Sequence, residues 1–127
     1  MKPVIALIED DKIMRIIFKR HFENKYKIVE FENGKAALQS KALRKAELII
    51  TDLHMPEVDG LGVLRNLNSK GLLNKIPVFV LSADVSRDKP LKCLEMGALD
   101  FIQKPVNLRE LELRVNRVVK GAVNNSL

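Results

Sequence analysis

The sequence predicts an α/β domain in which helices cover both faces of an open, doubly wound sheet of five parallel strands. Short apolar runs alternate along the 127 residues with segments whose apolar residues have helical spacing. The runs are apolar at consecutive positions, as strands buried on both faces must be. Turn-forming residues, among them Asn33-Gly34, Pro56 and Gly97, separate the segments.

The first half of the chain alternates three predicted strands with two predicted helices. An apolar run precedes the acids of 9–11, and apolar residues at helical spacing follow them. The segment 36–46 is rich in good helix formers and predicts one uninterrupted helix. The predicted elements are a strand over 4–8, a helix with the apolar stripe Met14, Ile17, Phe18 and Phe22, a strand over 26–31, a helix over 36–46, and a strand over 48–52.

The second half continues the alternation with three helices and two strands. Gly71 and Gly97 follow periodic segments, as glycine does at helix C-termini. Gly121 predicts the end of the last helix, so we expect a domain over 1–121 and a tail, or the start of a linker, over 122–127. The predicted elements are a helix bearing Leu61, Leu64 and Leu67, a strand over 78–81, a helix over 90–96, a strand over 99–103, and a helix with the stripe Leu108, Leu111, Val115, Val118 and Val119.

The composition limits the class of protein. With 46% hydrophobic residues, the chain can form one ordinary core and has no comfortable room for a second domain. Its first apolar run is too short for a signal peptide or a membrane span. Cys93 is the one cysteine, so an internal disulfide is excluded, and we expect a buried thiol in a cytoplasmic protein.

Lysine and arginine exceed aspartate and glutamate by six charges. The excess is concentrated in the first helix with its exit, and in the last helix. A solvated helix face is one interpretation, and an acidic docking partner or a nucleic acid, whose binding would weaken steeply with salt, are others. The basic residues are Lys12, Arg15, Lys19, Arg20, Lys25 and Lys27, opposed by Glu23 alone, and, in the last helix, Arg109, Arg114, Arg117 and Lys120.

Carboxylates follow two of the predicted strands where each strand ends. Right-handed crossovers bring the carboxyl ends of parallel strands to one edge, so Glu9, Asp10 and Asp52 should meet there. Three carboxylates repel one another and favour a hard divalent cation with oxygen ligands, Mg²⁺ or Mn²⁺. Alternatively, the first two acids only cap the next helix, a role that suits Asp10 or Asp11.

Two further strand ends carry a hydroxyl group and an ammonium group. Ser82 ends the fourth predicted strand, and Lys104, followed by Pro105, ends the fifth. Beside a carboxylate and a divalent cation, these groups can hold the oxygens of a transferring phosphoryl group. Asp52 is then the candidate nucleophile, and its product is an aspartyl phosphate.

With these residues in place, nearly the whole chain resembles the receiver domains of two-component response regulators. The resemblance implies a flavodoxin-like sheet with strand order 2-1-3-4-5 and a cis Lys104-Pro105 bond. It rests on Leu7-Ile8-Glu9-Asp10-Asp11, Asn33-Gly34, Asp52-Leu53-His54-Met55-Pro56 with Asp59-Gly60, Leu81-Ser82-Ala83, Gly97-Ala98, and Phe101 ahead of Lys104-Pro105.

The resemblance also implies how the site works. Asp52 would accept a phosphoryl group from a histidine kinase or a histidine phosphotransfer protein. The domain would be a switch and not an enzyme that turns over a metabolite. Mg²⁺ would be held by Asp10, Asp52 and the backbone carbonyl of His54, with Glu9 acting through water.

The remaining implied roles concern signalling. Lys104 would pair with the phosphoryl group, Ser82 would donate to it, and Phe101 would swing inward as Ser82 moves. The face made by the fourth helix, fifth strand and fifth helix would then bind a partner or a second copy. The basic first helix would dock the phosphodonor, and the domain would neither enter a membrane nor bind nucleic acid directly. His54 and Asp84 flank the expected path of the attacking water, so we hypothesise that they tune the lifetime of the phosphate.

Other protein classes share parts of this pattern. Phosphatases of the haloacid dehalogenase type combine a nucleophilic Asp with Ser or Thr, Lys and Mg²⁺. They need an acid two residues after the nucleophile, where this chain has His54. The motifs also fit a receiver domain cut from a larger regulator or hybrid kinase, and the net charge fits a nucleic-acid binder.

Overall fold

The computed structural model describes residues 1–84, 86 and 88–119, and in this range strands and helices alternate in the predicted order. The predicted end of the last helix at Gly121 and the boundary between 121 and 122 lie outside the described residues. The elements are β1 (Val4–Ile8), α1 (Lys12–Phe22), β2 (Lys27–Phe31), α2 (Gly34–Gln39), a 3₁₀ helix (Lys41–Lys45), β3 (Leu48–Asp52), α3 (Gly60–Ser69), β4 (Val78–Ser82), α4 (Asp88–Glu95), β5 (Asp100–Gln103) and α5 (Leu108–Val118).

The five strands form one parallel sheet in the order β2-β1-β3-β4-β5, which confirms the predicted fold class and strand order. The register aligns Ile8 with Thr51. On the next strand pair it aligns Asp52 with Leu81. Because every pair is parallel, the carboxyl ends of all five strands lie at the same edge of the sheet.

Each face of the sheet has its own apolar core, because alternate strand residues point to opposite sides. One core lies under α1 and α5, where Leu7, Ile50 and Phe79 of the strands meet Phe18 and Leu111 of the helices. Cys93 is buried in the other core, as predicted. That core, under α2, α3 and α4, contains Ala6, Ile8, Ile49, Val78 and Val80 from the strands and Ala37, Leu64, Leu67 and Cys93 from the helices.

The side chain of Asp11 caps the N-terminus of α1, so Asp10 is not needed for this role. Asp11 Oδ1 accepts from the backbone N–H groups of Ile13 at 2.9 Å and of Met14 at 3.3 Å. Such caps satisfy N–H groups that have no partner within the helix. Of the two acids considered for this cap, Asp11 provides it.

The prediction of one helix over 36–46 is wrong. α2 ends at Gln39, Ser40 is extended (φ −88°, ψ 132°), and the 3₁₀ helix follows. Ser40 Oγ accepts from the backbone N–H of Ala42 at 3.2 Å. Serine competes with helix continuation by bonding to nearby backbone groups in this way, so the chain begins a new turn where residue preferences alone favour one helix.

The apolar stripe predicted on the first helix is only partly buried. Phe18 and Phe22 are buried, but the side chain of Ile17 is 46% exposed. One residue turns an α-helix by about 100°, which directs Ile17 away from the sheet. Ile13 and Ile16 are also exposed, so α1 presents an apolar surface to solvent. None of the helices in the described ranges combines the length and apolar character needed to cross a bilayer.

Candidate functional site

Four strands deliver polar side chains to the carboxyl edge of the sheet. Glu9 follows β1, and Asp52 and Ser82 are the last residues of β3 and β4. Lys104 follows β5 and donates its backbone N–H to the carbonyl oxygen of Ser82 at 2.7 Å. The Lys104-Pro105 bond that comes next is cis, as the resemblance implied.

Glu9, Asp10 and Asp52 form a carboxylate cluster at this edge. One carboxylate oxygen of each residue lies within 4.8 Å of the other two. Glu9 and Asp52 are buried, whereas Asp10 is exposed. The structure therefore brings together the three acids that the sequence predicted to meet.

The Lys104 ammonium lies between the two buried acids. Its Nζ is 2.9 Å from Glu9 Oε1 and 3.3 Å from Asp52 Oδ2. Burial lowers the pKa of Lys104, but the two carboxylates outweigh burial and raise the pKa above its ordinary value. The pKa of Glu9 is raised to about 7, mainly by burial, with Asp52 adding to the rise and the hydrogen bond from Lys104 opposing it. One ammonium group thus leaves part of the cluster's negative charge uncompensated.

The carboxylate cluster has the donor set of a hard divalent cation. It supplies oxygen ligands, and it places three acids beside one ammonium group. Mg²⁺ and Mn²⁺ prefer such ligands and keep several waters, for which the exposed Asp10 leaves room. A cation would also favour the charged form of Glu9, which burial disfavours. The residues present therefore fit the metal that the sequence predicted.

The Ser82 hydroxyl is buried beside the carboxylate cluster. The side chain has no exposed surface, and its Oγ accepts a hydrogen bond from the backbone N–H of Asp84 at 2.9 Å. That bond occupies a lone pair and leaves the hydroxyl proton for another acceptor. Ser82 can therefore donate to an anion bound at this edge.

Comparison with known sequences assigns the chain to a family. The family profile described as "Response regulator receiver domain" matches residues 5–116. The chain belongs to the response regulator receiver domain family. This receiver domain is 33% identical over 120 residues to the two-component response regulator ORR3 of Oryza sativa subsp. indica, a match that covers 93% of this chain and 92% of ORR3. It is 34% identical over 120 residues to histidine kinase P4 of Formosa agariphila, covering 94% of this chain and 9% of that kinase.

Solved receiver domains have the same architecture. The receiver domain of the Francisella response regulator 1452 gives a TM-score of 0.84 at 30% identity, covering 92% of this chain and 96% of that chain. The signal receiver domain of a signal transduction histidine kinase from Syntrophus aciditrophicus gives 0.83 at 32% identity, covering 94% and 91%. Family membership therefore favours a phosphoacceptor domain of two-component systems over a haloacid dehalogenase-type phosphatase.

At the rim of the receiver domain's site, His54 and Asp84 contact each other. His54 Nε2 lies 3.2 Å from Asp84 Oδ2, and His54 is exposed. Hydrogen bonds from Ser86, and then from His54, lower the pKa of Asp84 to about 2. The sequence placed both residues near the site but did not predict their contact, because no local pattern links residues 30 positions apart.

Two glycines allow the loop after Asp52 to pack closely against its surroundings. The Gly60 N–H donates to the carbonyl oxygen of Leu53 at 2.8 Å. A Cβ at Gly60 would lie 2.8 Å from the carbonyl oxygen of Asp52, and a Cβ at Gly34 would lie 2.7 Å from that of Val58. The sequence suggested only turns at these glycines, whereas the structure shows that there is no room for a side chain at either position.

Phe101 lies half-buried on β5, between a core and an open groove. It packs against the core that lies under α2, α3 and α4. It also lines a cavity of about 310 Å³ at the surface between β5 and α5. Beside this cavity, Arg114 Nη1 pairs with Asp100 at 2.8 Å and Arg114 Nη2 with Glu110 at 3.0 Å. The face of α4, β5 and α5 therefore combines a pocket lined by Phe101 with neighbouring ion pairs.

The prediction that Glu23 alone opposes the basic residues near α1 is wrong. Glu30 of β2 forms ion pairs with Arg15 and Lys19 at 3.7 and 3.8 Å. Lys25 pairs with Glu112 of α5 at 3.0 Å. Acids from neighbouring elements reach these residues, and sequence proximity does not reveal them. Lys12 and Arg20 remain exposed beside the isoleucines of α1.

Proposed function

We propose that this receiver domain is a phosphorylation-dependent switch in which Asp52 accepts the phosphoryl group. The supporting observation is the geometry around Asp52, a buried carboxylate with Lys104 Nζ 3.3 Å away and two further acids beside it. Two-component systems supply the donor as a phosphohistidine, carried by a histidine kinase or a histidine phosphotransfer protein. The proposal places the switch in the cytoplasm, where the Cys93 thiol stays reduced.

Asp52 is the acid best placed to act as the nucleophile. Asp10 is exposed, and Glu9 is held by Lys104 at 2.9 Å. As an Asp52 carboxylate oxygen forms a P–O bond, the P–N bond of the donor's phosphohistidine breaks, and its electron pair returns to the imidazole nitrogen. Asp10, Asp52 and the backbone carbonyl of His54 would hold Mg²⁺ or Mn²⁺, with Glu9 acting through water. When bound, the cation neutralises charge on the phosphoryl oxygens.

Lys104 and Ser82 would hold the phosphoryl group after transfer. Lys104 already contacts Asp52 Oδ2, so it can reach an oxygen of a group attached there. Ser82 keeps a hydroxyl proton to donate. Because these bonds form only with the phosphorylated site, they favour the conformation in which Ser82 has moved inward. That movement would open space for Phe101.

The face of α4, β5 and α5 would report this change to a partner or to a second copy of the domain. Leu91 and Leu94 of α4 and Leu113 of α5 are exposed on these elements. Inward rotation of Phe101 would alter the cavity that it lines between β5 and α5. A surface that has both exposed leucines and a pocket whose shape changes suits binding that depends on phosphorylation.

The exposed surface of α1 would dock the phosphodonor. It combines Ile13, Ile16 and Ile17 with the cations Lys12 and Arg20. Such a surface fits an apolar helical face with an acidic rim, and it predicts transfer that slows as salt rises. Arg20→Gln should slow transfer from the donor more than Arg65→Gln on α3, while phosphorylation by acetyl phosphate stays unchanged in both. Transfer that ignores ionic strength would contradict this docking surface.

His54 and Asp84 would set the lifetime of the phosphate, since both lie at the rim of the site and contact each other. We expect the double variant His54→Ala, Asp84→Ala to change the rate of self-hydrolysis. Glu57→Gln, a neutralised exposed acid in the same loop, is the matched control. Equal rates of self-hydrolysis in the double variant and the native protein would contradict this role.

One experiment tests the proposed function directly. The domain is incubated with Mg²⁺ and acetyl phosphate, and with beryllofluoride as a phosphate mimic. We expect one added phosphoryl mass, and NMR shifts at Ser82 and Phe101, in the native protein and in Glu57→Gln. Asp52→Asn should show neither. Modification that persists in Asp52→Asn, or no modification of the native protein, would overturn the assignment.

A further inference from the structure

The amino edge of the sheet, opposite the carboxylate cluster, carries a concentration of positive charge. Near the amino ends of β2, β1, β3 and β4 lie eight basic side chains and three acidic ones, Glu23, Glu47 and Glu112, the last of which reaches Lys25 from α5. All eight basic side chains are exposed, and we call them the basic strip: Lys2, Lys25, Lys27, Lys41, Arg44, Lys45, Lys70 and Lys75.

The charge of the basic strip is largely uncompensated. Within the described parts of the chain, Lys25 alone among its members forms an ion pair, with Glu112 at 3.0 Å. Lys2 Nζ donates to the backbone carbonyl oxygen of Glu23 at 2.8 Å, which leaves its charge unpaired. Exposed cations without carboxylate partners attract anions from solution.

The basic strip is continuous across the sheet. The Lys27 N–H donates to the Pro3 carbonyl oxygen, and the Glu47 N–H to that of Val4, each at 2.8 Å, so the amino ends of β2, β1 and β3 adjoin. Neighbouring strands are about 4.8 Å apart, so the four strands span about 15 Å. Duplex DNA has one charge per about 1.7 Å of axis when both strands are counted, so a length of about 15 Å of duplex carries about nine phosphates, part of which face any one side. A row of cations therefore matches a row of phosphates.

The composition of the basic strip and its surroundings argues against other classes of binding partner. Protein interfaces are depleted in lysine and depend on aromatic and apolar anchors, but seven of the eight members are lysine. Single-stranded nucleic acid needs exposed aromatic rings, and Tyr26, the aromatic residue of this edge, is 1% exposed. A second copy that presented the same strip would bring two rows of exposed cations together, which is unfavourable. At the amino ends of the strands, Met1 and Leu99 are the large exposed apolar side chains among the described residues, too few to anchor this edge in a membrane.

We propose that the basic strip binds the phosphate backbone of double-stranded nucleic acid without reading its sequence. Lysine contacts to phosphates supply affinity and carry no base information. This departs from the expectation that the domain does not contact nucleic acid directly. The strip lies at the edge opposite Asp52, so binding leaves the carboxylate cluster open to a phosphodonor.

The test uses the full chain and a fluorescently labelled duplex. Fluorescence anisotropy measures the affinity for a mixed-sequence duplex of about 30 base pairs between about 50 and about 200 mM KCl. If about five cations contact phosphates, the slope of log affinity against log salt is about −4.5. The triple variant Lys27→Gln, Lys45→Gln, Lys75→Gln should reduce the slope to about −2 and weaken binding at the lowest salt more than tenfold. Circular dichroism checks that each variant is folded.

A matched variant distinguishes the loss of cations in the basic strip from a general loss of positive charge. Lys35→Gln, Lys92→Gln, Arg109→Gln removes three exposed cations elsewhere and should keep nearly the native affinity. Two duplexes of different sequence should bind equally. The proposal fails if the native chain does not bind duplex at the lowest salt, or if both triple variants weaken binding equally. It also fails if vesicles rich in phosphatidylserine bind through the strip while the duplex does not.

Discussion

Replacing Asp52 with asparagine should stabilise the domain when no divalent cation is present. Asp52 repels Glu9 and Asp10, whose nearest oxygens lie within 4.8 Å. At an effective dielectric constant of about 20, each repulsion costs about 3.5 kcal/mol. The attraction to Lys104 at 3.3 Å contributes about 5 kcal/mol on the same scale. Two repulsions therefore exceed one attraction by about 2 kcal/mol. Because water screens the exposed Asp10, we expect a gain of about 1 kcal/mol in the free energy of unfolding.

Urea denaturation at pH 8 measures this gain, since Glu9, with its pKa near 7, is then mostly charged. In EDTA, Asp52→Asn should unfold at higher urea than the native protein. Glu57→Gln, an exposed acid in the same loop, should change stability by less than about 0.5 kcal/mol. Mg²⁺ at about ten times its dissociation constant should stabilise the native protein by about 1.4 kcal/mol and the variant by less, because the variant lacks one ligand.

Two results would refute this reasoning. One is a lower stability of Asp52→Asn than of the native protein in EDTA, which would mean that the Lys104 contact outweighs both repulsions. The other is equal stabilisation of the two proteins by Mg²⁺, which would mean that Asp52 does not belong to the metal site.

Three further predictions concern the framework around the site. Gly60→Ala should destabilise the fold by about 1–3 kcal/mol, because its Cβ meets loop backbone; an unchanged urea midpoint would show that the loop moves aside freely. The buried Cys93 thiol, whose pKa burial raises, should react with a thiol reagent only on unfolding, and rapid labelling of the folded protein would contradict its burial. Burial favours a higher pKa for Glu112, but the hydrogen bonds and charges of Lys25 and His21 outweigh burial and lower the pKa. The ion pairs of Glu112 therefore stabilise the fold above about pH 4.5, and this stabilisation is lost as the pH falls through the lowered pKa. The native protein should therefore exceed Glu112→Gln in free energy of unfolding by about 1 kcal/mol at neutral pH, and this difference should disappear at low pH. A difference that does not change with pH would exclude these ion pairs as its source.

The sheet and the carboxyl edge could be predicted because a parallel topology restricts where strand ends can lie. Strands buried on both faces appear as continuous apolar runs, so the central strands were located to within a residue of their observed ends. A parallel sheet then forces Asp52, Ser82 and Lys104 to one edge, whatever the details of the helices. Helix propensity was less informative at Ser40, where a side-chain bond to the backbone outweighs the helix-forming residues on both sides.

Contacts between distant elements could not be predicted from the sequence. The pairing of His54 with Asp84 and that of Lys25 with Glu112 depend on how loops and helices lie over the sheet. The exposed side of α1 was missed for a related reason. Ile17 fits an apolar period, and only the position of the sheet decides which side of the helix is covered.

The backbone packing of the loop after Asp52 has a consequence for how this domain can diverge. The Gly60 N–H bonds to the Leu53 carbonyl oxygen and Gly34 lies against the carbonyl oxygen of Val58, so backbone packing holds the loop, and the exposed His54 side chain takes no part in these contacts. The residues proposed to accept the phosphoryl group can therefore stay unchanged while the residues proposed to set its lifetime are replaced. Under the role proposed for His54 and Asp84, exchanges at these two positions would change the lifetime of the phosphate and leave the carboxylate cluster as it is.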